Sequence, residues 1–179
     1  VLSELNPVHM VSITPVGRAG GYTMPVPKEP SYHYKKAMEQ EIAACFGGRI
    51  AESLVCGDIS SGASGDIQQA TNMARLMVTK YGMSEKLGPI LFGDDQQEVF
   101  LGRDFGHTKN YSEEIAKTID EEIKRIISEA YDLAKRTLEE NMDSLHKAAQ
   151  LLMEKEKITG EELREIIRGT GSVDTIEND

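Results

Sequence analysis

Apolar residues return every four positions along one stretch of this 179-residue chain: Met38, Ile42, Phe46, Ile50 and Leu54. That spacing stacks side chains on one face and predicts a helix from about Tyr34. Gly47 and Gly48 interrupt it. A glycine pair inside a helix weakens it, so here it predicts a kink or a close packing contact. A second stripe, Ile67, Ala70, Ala74, Met77, Val78 and Tyr81, predicts another helix, stopped by Gly82. Ile115, Ile119, Ile123, Ile126, Ala130, Leu133 and Leu138 predict a long third helix, with Ser112 placed to cap it and Glu113 and Glu114 in its first turn. Leu145, Ala148, Ala149 and Leu152 mark a fourth. Thr159, Gly160, Glu161 and Glu162 form a capping box ahead of Leu163, Ile166 and Ile167.

The N-terminal segment has a different period. Val8, Met10, Val11 and Ile13 lie in a β-rich run, and the residues from Tyr22 to Val26 form another. Pro15, Gly17, Gly20 and Gly21 punctuate them, and Pro25, Pro27 and Pro30 end them, so a small hairpin or sheet is expected over 8–26. Residues 1–5 read as the end of a helix, and 83–107 as a long connection. The expected fold is therefore mainly α with a small N-terminal β hairpin or sheet. One domain is expected over 1–169, followed by a disordered acidic tail over 170–179.

Charge narrows the function classes. The net charge is −10, with 30 acidic against 20 basic residues. No basic run with interleaved aromatics appears, so no nucleic-acid partner is expected. No apolar run reaches membrane-spanning length, and the N-terminus has no secretory pattern. The chain opens on VLSELNP, without Met, as a piece of something longer would. Cys45 and Cys56 lack CxxC spacing and sit too far apart along a straight helix to bridge, which predicts two buried, reduced thiols.

The candidate chemistry is sparse. Gly57, Gly62, Ala63 and Ser64 have the spacing of a phosphate-binding loop, but Ala63 stands where lysine is needed, so no nucleotide site is assigned. His9, His33, His107 and His146 never pair at i, i+4, and each reads as a surface or structural histidine. The acidic pairs Glu113/Glu114, Glu121/Glu122 and Glu139/Glu140 read as solvated helix faces. Asp66 has two readings, a first-turn carboxylate steadying a helix start or an oxygen ligand for a metal. The hairpin also has two: an edge that pairs with an extended peptide, or a plain cap on a helical core.

The segments PVHMVSITPVGRAGGYTMPVP, FGGRIAESLVCGDISSGASGDIQQATNMARLMVTKYGMSEKLGP, VFLGRDFG and NYSEEIAKTIDEEIKRII add to this. Together they resemble the proteolytic domain of the FtsH-type membrane-bound, ATP-dependent zinc metalloproteases, from about residue 7 to residue 169. The resemblance implies a helical peptidase domain that degrades unfolded and membrane proteins. It implies a homohexamer, on the cytoplasmic side of the bacterial cell membrane, whose ATPase domain and membrane anchor lie upstream; ATP and the membrane enter only through those parts. It implies a zinc ion in each subunit, held by two histidines of an H-E-x-x-H helix and by Asp66, which falls on the ligand aspartate of the family's GASGD segment. The glutamate of H-E-x-x-H is the implied catalytic base. Glu52, in GGRIAES, matches a glutamate near the metal and is expected to orient a ligand histidine. Gly20, Gly21, Tyr22 and Thr23 fall on the strand implied to pair with substrate backbone.

H-E-x-x-H does not occur in the 179 residues. The match places it just upstream of Val1, and the family has a few more residues near positions 5–7. These residues alone hold one oxygen ligand and are expected to be inactive by themselves. The alternatives are a non-catalytic relative serving as a hexamer scaffold and a helical interaction domain that is monomeric and indifferent to chelators.

Overall fold

The computed structural model describes residues 1–15, 17, 20–26, 32–92 and 111–170. The chain divides into two compact units, one made of Val1–Tyr32 with Lys135–Asp179, the other of His33–Ala134. Five α-helices and three strands occur among the described residues, so the mainly α expectation holds.

In the unit His33–Ala134, α1 (Lys35–Cys56) follows the predicted face: Met38, Ile42, Ala43, Phe46 and Ile50 are buried. Gly57 ends it in the left-handed conformation, φ 70°, and donates its N–H to the Ser53 carbonyl at 3.2 Å. Glycine reaches that conformation without a side-chain clash. The helix α2 (Ser64–Thr79) packs on α1 and buries Ala70, Ala74, Met77 and Val78. Ile67 and Tyr81, at the ends of the predicted stripe, are exposed. Gly82 is needed twice over: its φ is 60°, and a Cβ there would lie 2.7 Å from the Cα of Pro89. The chain doubles back at this point, and the Phe92 N–H reaches the Thr79 carbonyl at 2.8 Å.

The long helix α3 (Glu113–Glu139) starts as predicted, with the Ser112 hydroxyl accepting from the Ile115 N–H at 3.3 Å. Its inward side carries Ala116, Ile119, Ile123, Ile126 and Ala130. Phe46 of α1 meets Tyr131 of α3 edge to face at 5.6 Å, a favoured arrangement of aromatic rings.

Three expectations fail in this unit. The Gly47-Gly48 pair lies inside a continuous α1 and makes no close packing contact, since a Cβ on either would meet nothing within 4 Å. Cys56 is exposed and Cys45 half-buried, because Cys56 sits at the last turn of α1 beyond the buried face. Glu122 is not a solvated face residue. Its side chain is 1% exposed and takes a two-pronged contact from Arg125, 3.1 and 3.0 Å, with the Ser84 hydroxyl donating at 2.8 Å. Those donors hold the Glu122 carboxyl at about 2, well below its ordinary range, against the opposing effect of burial.

In the other unit, β1 (Val8–Ser12) lies between β2 (Tyr22–Pro25) and β3 (Lys157–Thr159) in an antiparallel sheet. Val11 pairs with Thr23 on one side and Ile158 on the other, and the register of β1 with β2 shifts around His9. The hairpin was predicted; the third strand, from the far end of the chain, was not. Two helices complete the unit, α4 (Met142–Lys155) and α5 (Gly160–Thr170). Glu156 ends α4 at φ 62°, and its carbonyl accepts from the Ile13 N–H at 3.0 Å. The capping box forms as read: the Thr159 hydroxyl accepts from the Glu162 N–H at 3.2 Å, and Glu162 accepts from the Thr159 N–H at 2.8 Å. Gly160 sits so close to β1 that a Cβ would overlap the Val8 carbonyl. Over residues 1–5, expected as a helix end, the structure has a turn at 3–4 and no helix. Most of the connection expected over 83–107, including His107, and the tail expected over 170–179, apart from the last residue of α5, lie outside the described residues.

Candidate metal centre

The candidate centre is built by the turn joining α1 to α2. After Gly57 reverses the chain, the Asp58 carboxylate accepts from the Ile59 N–H at 2.7 Å. Ser60 then caps a single 3₁₀ turn, Ser61–Ala63, its hydroxyl accepting from the Gly62 N–H at 3.2 Å. Ala63 is buried and pins the turn. The next residues begin α2, and Asp66 lies in its first turn. The unpaired N–H groups there present positive potential, which favours a carboxylate.

Asp66 is exposed, and among the described residues no hydrogen bond or ion pair takes its carboxylate. Its charge reaches α1: burial pushes the Cys45 thiol up, and Asp66 and Glu41 push it further. Glu52, one turn before the end of α1, accepts from the Ser60 N–H at 2.9 Å. That backbone bond, with the Ser60 hydroxyl, holds the Glu52 carboxyl below its ordinary range. A cavity of about 490 Å³ opens beside the start of α2, bordered by Met38, Glu41, Gly65, Gln68, Met73 and Tyr81.

The donor set decides what this arrangement can hold. A zinc site needs three protein ligands and, for catalysis, one open position. Among the described residues no three of His, Cys, Asp and Glu come together as metal ligands. His33 borders the cavity alone, and His9 and His146 belong to the other unit. The described residues therefore do not complete a metal site by themselves, and Asp66 stands among them as an exposed carboxylate.

Gly20, Gly21, Tyr22 and Thr23 also lie in the other unit. Tyr22 and Thr23 belong to β2, an edge strand of the sheet, and Thr23 is exposed. Gly21 has a packing reason for being glycine, because a Cβ there would come within 2.6 Å of the Ser12 carbonyl. The residues that sequence reasoning passed over are Ser60 and Glu41. The one signal for Ser60 was its place just past Gly57, where a reversal can return it to the last turn of α1.

Fold and site together define a mainly α protein with a small antiparallel sheet and a carboxylate presented at a capped helix start. The sequence profile of Peptidase family M41 matches residues 1–166, and the chain belongs to that family. It is 58% identical over 170 residues to a Thermoanaerobacter protein named ATP-dependent zinc metalloprotease FtsH 1, covering 94% of this chain and 28% of that one. It is 56% identical over 168 residues to the ATP-dependent zinc metalloprotease FtsH of Caldicellulosiruptor bescii, covering 93% and 27%. The protein of that name in Bacillus subtilis is 48% identical over 169 residues, covering 93% and 26%. The chain thus spans little more than a quarter of these relatives. Among the described residues no helix is long and apolar enough to cross a membrane.

Proposed function

We propose that residues 1–169 are the peptidase part of a zinc-dependent endopeptidase in which Asp66 is the third protein ligand of the metal. The observation that carries this is the placement of Asp66: an exposed carboxylate, without a hydrogen-bond or ion-pair partner among the described residues, at a helix start that follows a capped turn. Relatives named zinc metalloproteases support it. The two nitrogen ligands and the catalytic glutamate belong, in this reading, to an H-E-x-x-H helix of the longer protein. Residues 1–179 alone are inactive in this reading.

Zinc in such a site supplies Lewis acidity, polarising the scissile carbonyl and acidifying water. The residues of this chain do the rest. Asp66 holds one coordination position at a fixed place on α2. The edge of β2, with Gly20, Gly21, Tyr22 and Thr23, aligns an extended substrate through backbone hydrogen bonds, as edge strands do for peptides. The resemblance of the sequence supports the wider setting: a membrane-anchored homohexamer on the cytoplasmic side of a bacterial membrane, acting on unfolded and membrane proteins. The relatives' names support ATP dependence through a domain outside these residues.

The test is Asp66→Ala and Asp66→Asn in the full-length protein, with casein as an unfolded substrate. Degradation is expected to fall at least about a hundredfold, while ATP hydrolysis stays within about twofold of wild type. Undiminished degradation by Asp66→Ala sinks the assignment.

A further inference from the structure

Glu52 is tied to the protein backbone at the turn after α1. Its carboxylate takes the Ser60 N–H at 2.9 Å. Ser60 in turn caps the 3₁₀ turn that leads straight into α2. The segment 57–62 is exposed, and Ala63, which follows it, is buried. The Glu52–Ser60 contact is a side-chain tie between α1 and this turn. Loss of it frees the turn to move, and Asp66 sits on the first turn of the helix that follows.

We propose that Glu52 is a positioning residue that fixes Asp66 through the backbone of Ser60, so that an acceptor oxygen at this reach, and not a negative charge, is what the site requires. The inference rests on Asp66 being a zinc ligand. Supporting residues around a metal set ligand geometry, and their loss typically weakens metal binding by roughly 10- to 100-fold.

Three substitutions in the full-length protein separate the roles. Glu52→Gln keeps an acceptor oxygen and loses the charge. Glu52→Asp keeps the charge and loses the reach. Glu52→Ala loses both. Zinc affinity is read by competition with a chromophoric chelator, and the order of the turn by hydrogen exchange over 57–63. Glu52→Gln is expected to stay within about twofold of wild type on both readings. Glu52→Ala and Glu52→Asp are expected to bind zinc about tenfold more weakly and to exchange faster over 57–63.

Two results overturn the inference. One is Glu52→Gln binding as weakly as Glu52→Ala while Glu52→Asp binds normally, which assigns the charge to a metal-bound group. The other is unchanged zinc affinity in Glu52→Ala when Asp66→Ala loses its zinc. Zinc retained by Asp66→Ala is a different failure: it removes the assignment of Asp66, and this inference falls with it.

Discussion

Replacing Glu122 by Gln tests the physical reading of the core. The carboxylate is 1% exposed and gathers Arg125, Ser84 and, at 3.5 Å, Lys86. Holding it at about 2 against an ordinary 4.5 favours the ionised folded form by about 3 kcal/mol at neutral pH, at about 1.4 kcal/mol per decade. Arg125 is 36% exposed and also pairs with Glu129, so solvent and a second carboxylate take back part of that. The substitution should therefore cost about 2 kcal/mol, or about 4–8 °C in Tm for a chain of this size. The pH dependence carries the sign. The folded carboxyl lies below its unfolded value, so its contribution is complete above about 4.5 and is lost as pH falls towards about 2. Urea unfolding of wild type and Glu122→Gln at pH 7, 4.5 and 3 measures this. The gap should be full at pH 7 and shrink by pH 3. A gap under about 0.5 kcal/mol at pH 7, or one indifferent to pH, refutes the reasoning.

Glycines supply two further expectations of opposite sign. Gly160→Ala forces a Cβ into the Val8 carbonyl and should cost about 2 kcal/mol or more, seen as a lower urea midpoint. Gly48→Ala fills open space in the middle of α1 and should stabilise by roughly 0.5–1 kcal/mol, raising the midpoint; a loss would mean that something packs there.

The helices were legible because each carries its own local evidence. Met38, Ile42, Phe46 and Ile50 share a face, Ser112 and Thr159 announce helix starts, and Gly82 follows a stop. The third strand and Glu122 were missed because both depend on long-range contacts. The third strand is three residues long, too short for a period-2 pattern, and its partner β1 lies at the other end of the chain. Glu122 sits in an acidic pair that reads as a wet helix face, and only the return of Ser84 to α3 reveals why it is buried. At the candidate centre, the loop-then-carboxylate pattern pointed to Asp66. The link from Glu52 to Ser60 was hidden because it depends on the left-handed turn at Gly57.

The central claim is that Asp66 completes a zinc site. Zinc content per chain, measured on the full-length protein purified without added metal, tests it most directly. About one zinc per chain is expected in wild type and a large loss in Asp66→Ala, with stability changed by no more than about 1 kcal/mol from the helix start. Full zinc in Asp66→Ala, or none in wild type even when metal is supplied, would contradict the claim; the first leaves Asp66 as a helix-start carboxylate, and the second leaves a non-catalytic relative.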